Sequence, residues 1–346
     1  MGLIVDIKKE LPGFTLDASF TCEQGILGLL GSSGSGKSMT LKCIAGLLTP
    51  DEGYISLDGQ VLYDSAKGIA LTPQQRKTGY LFQNYALFPN MTVKQNILCG
   101  ISDRRAKQVP AEIMERFQLS GLGDRYPDQL SGGQQQRAAL ARIMVSKPKV
   151  LMLDEPFSAL DAYMRETMQL TVAELLRAYE GIVLIVSHDR DEIYRLCSRI
   201  AIYDAGRIVR QDGKKQVFAQ PNVRAAAILT GCRNVLPARR SAAQSLAVDG
   251  WGTVLQTAEK LLPDVSAVGV RAHYFRPVER EGQNTITCRV KTVVESPFEL
   301  TIYLLPQGGS ELLCWKTDRQ TFAKYQENSQ IILHIPEEAV LPLMEE

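Results

Sequence analysis

One eight-residue stretch, Gly31-Ser32-Ser33-Gly34-Ser35-Gly36-Lys37-Ser38, constrains this chain more than any other. It sets two glycines, with four residues between them, ahead of a Lys and a hydroxyl residue. The apolar run Ile26-Leu27-Gly28-Leu29-Leu30 leads into it, and a helical pattern with Leu41, Ile44, Ala45 and Leu48 on one face follows. Strand, glycine loop, helix is the context a phosphate-binding loop requires, whereas a Ser/Gly-rich surface turn needs neither flank. Glycines let the backbone curl so that successive N–H groups point at phosphate oxygens. The helix N-terminus adds partial positive charge. Lys37 can reach the β- and γ-phosphates of a nucleotide, and the Ser38 hydroxyl can sit on Mg²⁺.

The remaining pattern gives this loop a setting. Residues 2–7 and 14–20 alternate like antiparallel edge strands, with Pro12-Gly13-Phe14 between them. Phe14 can stack on an adenine ring or serve as plain core. Tyr54–Leu57 and Gly79-Tyr80-Leu81-Phe82 read as strands, the second ending at Gln83. Residues 92–118 read as helical, inside a helical lobe of about 84–146. Ser131-Gly132-Gly133 precede another helical pattern and so form a second anion-binding terminus. Val150-Leu151-Met152-Leu153, running into Asp154-Glu155, is the continuous apolar run of a parallel strand covered on both faces. A helix is expected from Ser158–Asp161 to about Tyr179. Ile182–Val186 then forms a second buried strand ending at Ser187-His188-Asp189, with strands near 199–204 and 207–211 beyond. Alternating strands and helices predict a mainly parallel sheet with helices on both faces and ligands at the strands' carboxyl ends. Lys37, Gln83, Asp154 and His188 all fall at or just past such ends.

After about residue 231 helical patterns largely stop. Short strand-like segments at 286–290, 300–304, 312–315 and 331–335, punctuated by Pro and Gly, predict a small all-β barrel or sandwich. The expected division is therefore 1–230 and 231–346.

Composition excludes several classes. A net charge of +1 gives no bulk electrostatic case for nucleic acid. The seven cysteines are scattered and form no C-x-x-C pair, which reads as reduced thiols in a cytoplasm. The three histidines are too widely spread for a histidine-rich metal site. The N-terminus lacks the pattern of a signal peptide or of myristoylation, and no apolar run approaches a membrane span, so any membrane role is expected to come through a partner.

The chemistry of the strand ends is specific. Asp154 can hold Mg²⁺, and Glu155 can accept a proton from an attacking water or position it. His188 can donate to a γ-phosphate as charge spreads over its oxygens. Taken in order, the loop at 31–38, Gln83, Leu130-Ser131-Gly132-Gly133-Gln134, the strand into Asp154-Glu155, Ser158–Asp161 and His188 resemble the ATP-binding-cassette ATPases over residues 2–230. The Leu-Ser-Gly-Gly-Gln stretch is the discriminating element, because other phosphate-loop enzymes, kinases among them, lack it.

The resemblance implies an α/β phosphate-loop ATPase with an inserted helical lobe and a C-terminal oligomer-binding-like β domain. The implied cofactors are ATP and Mg²⁺. Phe14, Gly31 through Ser38 and Thr40 are the implied nucleotide contacts. Ser38, Asp154 and Gln83 are the implied metal contacts, with Gln83 also reaching the water and sensing the transport partner. In the family, Ser131, Gly132, Gly133 and Gln134 meet the γ-phosphate held by the other subunit, with Asp161 at the seam, which implies a head-to-tail homodimer.

One cassette, about fifty residues between Gln83 and Ser131, and no heptads argue against repair-type and translation-type cassettes. The absence of a fused span argues for an importer whose partners are integral-membrane permease subunits and, indirectly, an extracytoplasmic solute-binding protein. Such a subunit works at the cytoplasmic membrane face. The stretch Lys67–Arg76 running into Gly79–Gln83, and Leu87-Phe88-Pro89, resemble the molybdate-uptake ATPases, with sulfate-uptake ATPases the nearest rival and tungstate or other solutes as further alternatives. Thr230-Gly231-Cys232-Arg233-Asn234 is loosely similar to an oxyanion-binding stretch of some molybdate proteins. Tyr85, Ala86, Leu87, Phe88 and Pro89 form either a satellite core or an exposed apolar groove for a partner's helix.

Overall fold

Alternation and continuity of apolar residues sort the first strands into two kinds. Strands β1 (Gly2–Leu11) and β2 (Phe14–Glu23) bury alternate side chains, as a sheet covered on one face requires. In β3 (Gly25–Gly31) the last five residues are buried without a break. The structure, a computed structural model, describes residues 2–101, 109, 111–158 and 160–345.

The chain divides into two units, Met1–Lys214 and Lys215–Glu346. In the first, β3 leads through the glycine loop to helix α1 (Lys37–Ala45), followed by β4 (Glu52–Leu57), β5 (Gln60–Asp64), β6 (Ile69–Ala70) and β7 (Thr78–Leu81). Helices α2 (Val93–Leu98), α3 (Ala111–Arg116) and α4 (Gly132–Met144) make the helical insertion, in which α2 packs on α4. Of the helix expected over 92–118, the described residues hold α2 and α3. Met114 and Phe117 are buried, and part of the intervening segment lies outside the described residues. Strand β8 (Val150–Asp154), α5 (Ala162–Arg177), β9 (Ile182–Ser187), α6 (Arg190–Leu196), β10 (Arg199–Asp204) and β11 (Arg207–Gly213) complete the unit.

Its eleven strands form one sheet in the order β6-β5-β4-β1-β2-β11-β10-β3-β9-β8-β7. The sheet is mixed. Strands β10, β3, β9, β8 and β7 are mutually parallel, whereas β6 through β2 pair antiparallel. Every residue of β8 and β9 is buried. Register does the positioning: Leu30 pairs with Ser187, Asp154 with Val186 and Leu81 with Leu153. The carboxyl ends of four strands distant in sequence are thereby brought to one edge.

In the second unit, α7 (Lys214–Ala219) spans the division, and α8 (Arg224–Leu229) packs on β12 (Asn234–Pro237), β16 (Val265–Val270) and β22 (Val340–Met344). The division thus falls at 214/215, at the start of α7 and before α8, earlier in the chain than the expected 230/231. Three sheets follow: β12-β16-β22; β13 (Arg239–Ala242), β14 (Ser245–Val248) and β15 (Thr253–Gln256); and β17 (Arg276–Val278), β21 (Gln330–His334), β18 (Thr285–Glu295), β19 (Leu300–Pro306) and β20 (Leu313–Thr317). Fully buried Trp251 and Trp315 anchor one shared core.

Candidate functional site

The loop between β3 and α1 has the shape a phosphate cradle needs. Gly34 and Gly36 take φ of +83° and +99°, in the left-handed region that favours glycine. Gly36 has a second constraint: a Cβ there would lie 2.7 Å from Leu16 Cδ1 and 3.2 Å from Phe14 Cζ. The half-buried Phe14 ring thus sits against the start of α1. Lys37 is only 4% exposed, and its ammonium donates to the Gly31 and Ser32 carbonyls at 2.9 and 2.6 Å and to the Ser35 hydroxyl at 3.2 Å. Burial lowers its pKa, and the charges of Glu155 and Asp154 work in the opposite direction.

Thr40 corrects one expected nucleotide contact. It is fully buried, donates to the Gly36 carbonyl and accepts from the Tyr203 hydroxyl, so it braces the loop from within the core.

At the end of β8, the buried Asp154 carboxylate accepts two hydrogen bonds. The Ser38 hydroxyl, 116 residues away in sequence, donates to Oδ1 at 2.6 Å, and the Tyr80 hydroxyl donates to Oδ2 at 2.7 Å. Ser38 and Asp154 are hard oxygen donors placed together beside the loop. That suits Mg²⁺, which takes one or two carboxylates and completes its shell with water and substrate phosphates. Among the described residues no cluster of three or more His, Cys, Asp or Glu offers a softer site.

Glu155 turns sharply away from the strand at φ +45°, a strained conformation for a residue with a side chain. Its N–H still reaches the Val186 carbonyl, and its own carbonyl accepts from the Ser158 N–H and hydroxyl. The carboxylate lies 3.2 Å from Nδ1 of His188, which is 56% exposed. Gln83 Nε2 donates to the Ser158 hydroxyl at 3.2 Å. Gln83, Ser158 and Glu155 are therefore linked, while no described hydrogen bond joins Gln83 to Asp154.

Behind them, Glu192 is buried with Oε1 unpartnered. Burial pushes its pKa up to about 8, against a hydrogen bond from Ser187. Sequence reading gave Tyr80 and Glu192 no role, and it named Ser158 only as the first residue of the Ser158–Asp161 stretch.

The second glycine stretch is a helix terminus. Ser131 caps α4, with its hydroxyl accepting from Gln134 N–H and the Gln134 side chain accepting from Ser131 N–H. Ser131 and Gly132 are exposed, whereas Gly133 is buried, and a Cβ there would meet Met164 and Met168 of α5 at 3.0 and 3.1 Å. Asp161 caps α5 by accepting from Met164 N–H at 2.9 Å.

The apolar stretch after Gln83 is partly buried and partly exposed. Tyr85 is buried and Phe88 is 45% exposed. Arg142 donates to the Tyr85 and Ala86 carbonyls and lies 5.3 Å over the Phe88 ring. Asn96 closes on Phe88, Met91 and Thr92. Tyr85 and Ala86 both hold positive φ.

In the second unit, Thr230 and Asn234 are buried and bonded internally. Thr230 donates to Ala226 and Ala227, and Asn234 bonds Val270 and Cys314.

Residues 16–158 match the ABC transporter family. The chain is 36% identical over 225 residues to the molybdenum import ATP-binding protein ModC of Paramagnetospirillum magneticum, covering 64% of this chain and 62% of that one. It is 34% identical over 328 residues to the sulfate/thiosulfate import ATP-binding protein CysA of Thermosynechococcus vestitus, covering 91% and 89%. A dimeric ATP-binding cassette in a post-hydrolysis state, bound to ADP and Pi, superposes with TM-score 0.51 at 25% identity, over 62% of this chain and 99% of that one.

Proposed function

The chain belongs to the ATP-binding subunits of ABC importers, which couple ATP hydrolysis with Mg²⁺ to transport, and from that premise we propose how its residues divide the work and what it helps to carry. The observation that carries the proposal is the meeting of Ser38, Asp154, Glu155 and His188 at the ends of β8 and β9 beside the loop.

The loop N–H groups and Lys37 hold the β- and γ-phosphates. Ser38 and Asp154 would hold Mg²⁺, which when bound would supply positive charge to the phosphate oxygens. Glu155, fixed by its strained turn and by Ser158, orients the attacking water and accepts its proton. His188 donates to the γ-phosphate as charge spreads over its oxygens. Phe14 stacks on the adenine, and Gln83 relays the state of the γ-phosphate through Ser158.

Two copies close head to tail, so that Ser131, Gly132, Gly133 and Gln134 of one reach the nucleotide of the other. Their exposed helix terminus and the dimeric cassette relative support this arrangement. Permease subunits hold the dimer at the cytoplasmic membrane face. Among the described residues no helix is long and apolar enough to cross a membrane.

The solute is an oxyanion, with molybdate the first reading, supported by the Lys67–Gln83 stretch and the molybdenum relative. Sulfate is the second, supported by a match that continues through the C-terminal unit. The inward bonding of Thr230 and Asn234 argues against an oxyanion site at 230–234. The test is uptake in cells lacking the chain: labelled molybdate import should fall and return with the gene. A fall in sulfate import alone would replace molybdate with sulfate.

A further inference from the structure

Three regions outside the loop invite explanation. A cavity of about 370 Å³ in the C-terminal unit mixes Lys260 with Glu259, Glu337 and Glu338, and no single ligand chemistry accounts for that lining. A hairpin tip at Phe298, 93% exposed, has nothing beside it to say what covers it. The third is Tyr80, and here the geometry is definite.

Tyr80 lies on β7, paired in register with Met152 of β8. Asp154 is two residues beyond Met152 and so shares its face of the sheet. The Tyr80 ring packs against the large core cluster, 4.6 Å from the Phe82 ring. Its hydroxyl donates to Asp154 Oδ2, while Ser38 holds Oδ1. A carboxylate with one oxygen tied to a rigid strand cannot rotate freely. Its other oxygen is then aimed beside Ser38, where the proposed metal ligands meet. Gln83, which reaches Ser158, lies three residues past Tyr80 in the turn that follows β7.

We propose that Tyr80 is a positioning residue for the metal site, tethering Asp154 through Oδ2 so that Oδ1 and the Ser38 oxygen are presented together to Mg²⁺. The proposal rests on the assignment of Asp154 as the metal ligand. Outer hydrogen bonds of this kind orient ligands, and their loss weakens metal binding by about 10- to 100-fold.

The test measures binding of a fluorescent ATP analogue to the full chain in Mg²⁺ and in EDTA. The wild type should bind more tightly in Mg²⁺. In Tyr80→Phe, which keeps the ring, affinity in EDTA should stay within about twofold, and the gain from Mg²⁺ should shrink by about tenfold. In an Asp154→Asn background, Tyr80→Phe should produce no further shrinkage. An undiminished gain in Tyr80→Phe, an equal fall in both conditions, or the same shrinkage without Asp154 would each overturn the proposal. A wild type with no gain from Mg²⁺ would overturn the metal-ligand assignment itself. If Tyr80→Phe melts early, Tyr80→Trp supplies a second ring lacking the phenol, and the two must lose the gain alike.

Discussion

Buried polar residues are arranged in opposite ways in the two units. In the cassette, Lys37 bonds only loop carbonyls and a serine, Asp154 accepts two hydroxyl groups, and Glu155 meets a half-exposed histidine. These are ions with capacity to exchange partners, held beside an open edge of the sheet. In the C-terminal unit, Asn234 donates to the Val270 and Cys314 carbonyls and accepts from Cys314 N–H, while Arg271 donates to the Thr230 and Phe218 carbonyls. There the Asn234 amide is neutral and joins strands β12, β16 and β20. A buried polar group left with unused capacity is costly in a fold that gains nothing from it. The cassette's ions are thus evidence of a ligand, and the second unit's amide is evidence of architecture.

The sharpest way to break this contrast is at Glu155. Glu155→Gln should bind ATP but lower turnover by about a hundredfold or more, since the oxygen that takes the proton is lost. The mutant should accumulate as an ATP-bound dimer on size exclusion, and near-normal turnover would sink the assignment.

Asn234→Leu should do the reverse. It leaves the Cys314 N–H and C=O and the Val270 C=O buried without that partner, lowering the stability of the C-terminal unit by about 3 kcal/mol. ATP turnover by the intact cassette should hardly change. Loss of turnover with unchanged melting would mean that Asn234 belongs to a site after all.

Asp161→Ala should lose the α5 cap, worth about 1 kcal/mol in denaturant unfolding of the cassette. If Asp161 also stands at a dimer seam, turnover should fall further than this loss of stability explains. A matching drop in both would leave it a cap alone.

Phe88→Asp should have the smallest effect on the isolated protein. With the ring 45% exposed, folding and basal hydrolysis should remain close to wild type. Solute uptake should nonetheless fail if this surface receives the permease. Lost basal hydrolysis would place Phe88 in the core instead.

Legibility from sequence followed the range of the interactions. The glycine loop, the apolar runs of β8 and β9 and the helix starts near Ser131 and Asp161 are local, because backbone conformation and burial leave their mark on neighbouring residues. Even so, Thr40 was misplaced: one residue's direction on a helix depends on what the helix packs against, and here Tyr203 takes its hydroxyl. The antiparallel edge was legible at residues 2–7 and 14–20, whose alternation marks it, whereas its extension through β4, β5 and β6 depends on pairing between strands distant in sequence.

By itself the sequence determined that residues 31–38 would form a glycine loop between a buried strand and a helix, that the acidic pair would end a buried strand, and that the chain would change character near its last third. Tertiary structure alone decided that Ser38 and Tyr80 share the Asp154 carboxylate, that Glu155 turns back onto Ser158 and His188, and that the Asn234 side chain bonds Val270 and Cys314. Those outcomes depend on strand order and register across a sheet, where a shift of one residue would send every side chain to the opposite face.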